Sequence, residues 1–227
     1  MKNTAPIIFG DSHTRSFVNT YCQNIIFAGT GKELNFLNLN NMFKIFRLVF
    51  KLDKRLKKNT FILVFGEPDL RFLSYGKFEI SEKDIPGEPK KIKKKVLKSI
   101  KRYSLLISLL KIFKIEFVLS AVHSPNSDIS EIIIYWNEEL NSICKFKDIM
   151  FFETDKYLNN GEIDPNYIGY SIHDQNKKDH VHLSTKVGED FYNNFKSEFN
   201  FNIDLLSSID YLYEDKNLKI FKFNTNI

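Results

Sequence analysis

A three-layer α/β/α fold around a five-stranded parallel sheet is the architecture this sequence predicts. Short, β-rich apolar runs alternate with longer stretches of helical periodicity, five times over. The runs are apolar at successive positions, as strands covered on both faces must be. At 227 residues the chain fits one large domain better than two small ones.

The elements follow in order. Ile7 to Phe9 reads as a central strand and Thr14 to Cys22 as a first helix. Asn24 to Ala28 reads as a second strand, ending at Gly29-Thr30-Gly31. Asn40 to Lys57 sets Met42, Ile45, Phe46, Val49 and Leu52 against Lys44, Arg47, Lys51 and Lys54, the spacing of an amphipathic helix. Thr60 to Phe65 is a third strand, and 68–89, with Gly, Pro and charge, is expected as a surface loop. Lys91 to Phe113 is a helix, Glu116 to Val122 a fourth strand, Ser130 to Cys144 a helix and Asp148 to Phe152 a fifth strand. Asn159 to Asp179 is expected as a polar loop, and Ser184 to Phe199 as a last helix. In the tail, Leu218 to Phe223 alternates weakly and suits an appended strand or hairpin.

Composition narrows the function classes. The chain is 43% hydrophobic and 15% aromatic, enough to bury a core and too much for disorder throughout. Its net charge of +5 comes from 33 basic and 28 acidic residues, which does not by itself indicate nucleic acid. The excess is local: Lys90-Lys91-Ile92-Lys93-Lys94-Lys95 opens the third long helix. That run is a solvated helix face, or a site for an anionic partner such as a polysaccharide, a phospholipid head group or a nucleotide. Two cysteines, Cys22 and Cys144, make no disulfide framework and point to a reducing compartment. The first six residues lack the apolar segment of a signal peptide, and no run approaches the ~20 apolar residues of a membrane span. The expected location is the cytoplasm.

Three separated segments carry chemistry. Gly10-Asp11-Ser12-His13-Thr14 follows the first strand. Gly66-Glu67-Pro68-Asp69-Leu70-Arg71 follows the third. Asp179-His180-Val181-His182-Leu183 follows the fifth by a long loop. A hydroxyl becomes a nucleophile when a base stands beside it, and the base needs a third group to fix its tautomer. Ser12, His182 and Asp179 are the residue types that arrangement requires. Gly10 to Ser12, Gly29, Gly66 to Arg71 and His123 directly follow predicted strands, so they share the carboxyl edge, where such sheets bind ligands.

With these motifs the chain resembles the SGNH (GDSL-like) hydrolase superfamily, over roughly Ile7 to Phe199. The variant it resembles pairs Gly-Asp-Ser-His-Thr with Gly-Glu-x-Asp-x-Arg. The resemblance implies a flavodoxin-like sheet, with residues 1–203 as the hydrolase-like domain and 204–227 as a C-terminal extension. It implies Ser12 as nucleophile, His182 as base and Asp179 as its orienting partner. Backbone N–H groups of Ser12 and Gly29 would hold the oxyanion, with Gly31 the next match. One departure stands out: where the superfamily places an oxyanion-binding asparagine, this chain has Pro68, which offers neither a side-chain donor nor a backbone N–H. Losing one such donor costs about 100- to 1000-fold in rate.

Arg71 replaces that donor, anchors an anionic substrate, or pairs with Glu67 or Asp69 as scaffold. His13 sits beside or beneath the site, and His123 forms a pocket wall or a structural turn. His180 and Asp174 lack the three-residue spacing that pairs Asp179 with His182. No spacing supports a metal site built on His13, His123 and His180, and Gly29-Thr30-Gly31-Lys32 is no phosphate loop; no cofactor is expected. Ile133, Trp136 and Leu140 recur at helical spacing and read as core. The expected activity is a serine esterase removing a small acyl ester, acetyl above all, from a carbohydrate or related substrate. An O-acyltransferase using the same site and a non-catalytic binding module are the alternatives.

Overall fold

The computed structural model describes residues 7–17, 25–27, 35–55, 60–81, 83–123, 127–159, 162–170, 178–184, 186–195 and 219–221. Gly29 and Asp174 lie outside these residues, as do the side chains of Ser12, Asp179, His180 and His182. Strands β1 (Ile7–Gly10), β2 (Ile25–Phe27), β3 (Phe61–Val64), β4 (Phe117–Ser120) and β5 (Phe151–Phe152) form a parallel sheet in the order 2-1-3-4-5. Helix α1 (Leu39–Arg55) links β2 to β3. Helices α2 (Glu67–Tyr75) and α3 (Pro89–Ile112) link β3 to β4, and α4 (Ser130–Lys147) links β4 to β5.

Successive strand residues point to opposite faces, so each strand feeds two cores. Ile7, Phe9, Phe61, Leu63, Phe117 and Leu119 join one core with α1, α3 and α4. Ile8, Ile62, Val64 and Val118 join another, with Phe17 and with Val187 and Phe191 of α5 (Lys186–Phe195). This is the predicted three-layer arrangement. Cys144, Ile133, Trp136 and Leu140 are buried on α4, the last three at the predicted core positions.

Several elements differ from the expectation. The segment after Gly66 is a helix at its start: Pro68 and the acids Glu67 and Asp69 occupy the first turn of α2, where proline's missing N–H costs nothing and the helix dipole favours carboxylates. Gly76 ends it in the left-handed conformation. The turn after β1 is a short 3₁₀ helix over Ser12–Phe17, and no α-helix begins at Thr14. The fifth strand begins only at Phe151, because Asp148 takes a left-handed conformation to cap α4. The expected polar loop holds strands: β6 (Leu158–Asn159) pairs with β7 (Glu162–Ile163), and β8 (Ile168–Tyr170) with β9 (Lys178–Leu183). Asp179 and His182 therefore belong to a strand. β10 (Lys219–Phe221), from the tail, runs antiparallel to β2.

Candidate active site

The turn carrying Ser12 is built by its neighbours. Gly10 ends β1 so close to β3 that a Cβ there would stand 2.0 Å from the Val64 carbonyl oxygen. No other residue fits, and Asp11 N–H donates to that same oxygen at 3.1 Å. The Asp11 carbonyl accepts from Thr14 N–H and from the Thr14 hydroxyl, closing the 3₁₀ turn. The Asp11 carboxylate accepts from His13 N–H at 2.9 Å. Further along the turn, Ser16 Oγ donates to the Leu183 carbonyl at 2.9 Å. That bond ties the turn opened by Ser12 to the end of β9, one residue from His182.

The second motif approaches from β3. Gly66 adopts φ 127°, a conformation that L side chains rarely take, and a Cβ there would crowd Trp136 and Val122 at 2.9 Å. This bend starts α2 and turns Glu67 inward, where it is 3% exposed. Arg71 grips Glu67 Oε1 through Nε at 2.9 Å and Nη2 at 2.5 Å, and its Nη1 donates to the Phe78 carbonyl. The other carboxylate oxygen, Oε2, stands 3.4 Å from His13 Nε2. His13 Nδ1 lies 3.1 Å from His123 Nε2, with the rings edge to face. Asp69 is buried and accepts from Phe36 N–H at 2.7 Å. Asp11, His13, Glu67 and His123 line a recess of about 10 Å³, the scale of one water molecule.

Electrostatics follow from this packing. Burial alone would lower the His13 pKa, but its close approach to Glu67 and the charges of Asp11 and Glu67 raise it above 6.5. Burial opposes ionisation of Glu67 too, yet His13 and Arg71 hold its pKa below 4.5. Burial raises Asp11 to about 6, against the pull of His13. Asp69 is driven well above 3.8 by burial, which outweighs the bond from Phe36. The packing thus favours the charged forms of His13 and Glu67 and the uncharged form of Asp69. When His13 is protonated it carries hydrogen on both nitrogens, and Nδ1 can then donate to His123 Nε2.

Thus the structure brings His13, Glu67, Arg71 and His123 into one network and sets Asp69 beside it on α2, bonded to a different segment. Arg71, expected as a replacement donor, an anion anchor or a scaffold partner, makes the contacts of the last of these, with Glu67 and the Phe78 carbonyl. Sequence reading missed two members. Asp11 had no assigned role, although it stands between Gly10 and Ser12. Asn137 accepts from Val122 N–H at 2.9 Å and donates to the Val122 carbonyl at 2.8 Å, fixing the segment that bears His123. Its signal was an amide beside Trp136 on a buried helix face. Among the described residues, no three His, Cys, Asp or Glu side chains converge to hold a metal ion.

No family model and no curated protein matches this sequence. Solved structures do match its fold. An assigned acylhydrolase from Bacteroides fragilis superposes with a TM-score of 0.56 at 16% identity, covering 87% of each chain. A GDSL-like lipase from Bacteroides thetaiotaomicron gives 0.53 at 14% identity over 85% of each chain. An acetyl xylan esterase gives 0.50 at 18% identity, over 85% of this chain and 98% of that one. The order 2-1-3-4-5, the cores on both faces and these superpositions together establish that this chain has the fold of the SGNH hydrolases.

Proposed function

We propose that this chain is a serine esterase that removes a small acyl group, acetyl above all, from a carbohydrate or related ester. His182 takes the proton of Ser12 as Ser12 Oγ attacks the acyl carbonyl, and Asp179 holds the imidazole in its working tautomer. Backbone N–H groups of Ser12 and Gly29 stabilise the oxyanion. The imidazolium returns its proton to the departing alcohol, leaving an acyl-serine. Water, deprotonated by His182, then attacks that ester, releasing the acid and restoring Ser12.

The hydrogen bond from Ser16 to Leu183 carries this reading. It fastens the turn opened by Ser12 to the strand holding Asp179 and His182, across most of the sequence. The acylhydrolase, lipase and acetyl xylan esterase that share the fold support the reaction class. Cytoplasmic placement fits the free, buried Cys144; among the described residues no helix is long and apolar enough to cross a membrane.

The test is p-nitrophenyl acetate turnover by the wild type, Ser12→Ala and His182→Ala, with fluorophosphonate labelling of each. Turnover should fall by at least ~1000-fold in both variants, and labelling should vanish in Ser12→Ala. Labelling that survives in Ser12→Ala overturns the assignment of the nucleophile.

A further inference from the structure

Charge is segregated in this molecule. Helices α1 and α3 hold fourteen of the thirty-three lysines and arginines and one of the twenty-eight acids. The remaining nineteen basic and twenty-seven acidic residues leave everything else net negative by eight. The two helices are neighbours: Phe46 and Phe50 of α1 make ring contacts with Phe113, just past the end of α3.

Lys91, Lys94, Lys98, Lys101, Leu105 and Ile112 form one exposed stripe along α3. Among the described residues, acids pair only with Lys91 (Glu88) and Lys93 (Glu131) on this helix. On α1, Arg47, Lys51 and Lys54 are exposed, and Lys54 Nζ sits 4.4 Å above the Phe50 ring. A surface adapted only to water mixes charges of both signs. This one does not, and the dipole at the end of α3 accounts for Lys111 alone. Leu39, Phe43, Leu105, Ile112 and Phe113 stand among these cations, each 39–71% exposed.

We propose that the face formed by α1 and α3 docks onto an anionic lipid bilayer. The lysines and arginines meet lipid phosphates, and Leu105, Ile112 and Phe113 enter the boundary between head groups and acyl chains. Charge complementarity selects an anionic partner. The exposed aliphatic side chains select a bilayer, because a nucleic acid or an acidic polysaccharide offers them no hydrocarbon layer. With 24 residues, α3 lays a stripe about 36 Å long on that surface. Docking is peripheral and independent of the esterase reading.

The experiment is co-sedimentation of the full chain with phosphatidylcholine vesicles, with and without phosphatidylglycerol. Binding is expected only with the anionic lipid, weakening as salt rises. Each lysine contributes roughly fivefold to partitioning. The triple variant Lys94→Glu, Lys98→Glu, Lys101→Glu should therefore lose roughly a hundredfold or more. Leu105→Ser with Ile112→Ser should also weaken binding at constant charge. All five side chains are exposed, and an unchanged melting temperature confirms that each variant is folded. Absence of binding to phosphatidylglycerol vesicles overturns the proposal, as does undiminished binding by the triple variant. So does a serine variant that binds vesicles like the wild type while the chain binds an RNA oligonucleotide, which would assign the face to a polyanion.

Discussion

His13 Nε2 stands 3.4 Å from Glu67 Oε2, with neither side chain more than 4% exposed. The pair joins the residue after Ser12 to the first turn of α2, so the two motifs meet in a buried contact that is an ion pair when His13 is protonated. Removing one partner of such a pair strands the other charge.

Stability should therefore depend on pH with a definite sign. The contribution of His13 is complete below 6.5 and is lost as pH rises through its higher folded pKa. The contribution of Glu67 is present above 4.5 and is lost as pH falls through its lower folded pKa. Asp11 binds its proton more tightly in the folded chain, so stability falls as pH rises from 3.8 to about 6. Asp69 adds a change of the same sign. Melting temperature should decline from mildly acidic to alkaline pH. Asp11→Asn keeps an oxygen for the His13 N–H and removes one titration, so its decline below about pH 6 should be shallower. An identical profile in the variant would show that Asp11 does not titrate there.

Arg71→Ala removes the fork on Glu67 and the bond to Phe78. The expected loss is about 2 kcal/mol, read as a lower urea midpoint. Arg71→Lys should recover little, because one ammonium cannot hold the planar two-point contact and the Phe78 carbonyl together. A wild-type midpoint for Arg71→Ala would show that its contacts are not structural supports.

Asn137→Ala leaves the Val122 N–H and carbonyl without their side-chain partner inside the core. A cost of roughly 3 kcal/mol is expected. Hydrogen exchange at the Val122 amide should accelerate more than at Ile62, in the middle of β3. Uniform acceleration would mean that Asn137 supports the whole fold and not this segment.

The central strands were legible because Ile7 to Phe9 and Phe61 to Val64 are apolar on both faces, a pattern only a covered sheet explains. Helix α2 was not, because Gly66 and Pro68 are loop residues by composition and helix openers by position. The short strands β8 and β9 include Gly169, Asp179 and two histidines, which carry no apolar alternation to announce pairing. The motifs placed His13 and His123 separately at the ends of strands. Their contact spans 110 positions, and no local spacing encodes it. The sign of each buried charge was equally hidden, since it depends on the neighbours that folding supplies.

β10 lies at one border of the sheet, beside β2. β10 gives β2 a second hydrogen-bonded neighbour, so Lys219–Phe221, from the tail, shields a strand that would otherwise form the border of the sheet. A chain cut before that tail would leave a row of β2 amides and carbonyls open to any extended segment, including one from another copy. Lys219–Phe221 thus takes the border position, and its end at Lys219 lies opposite Phe27, two residues before Gly29.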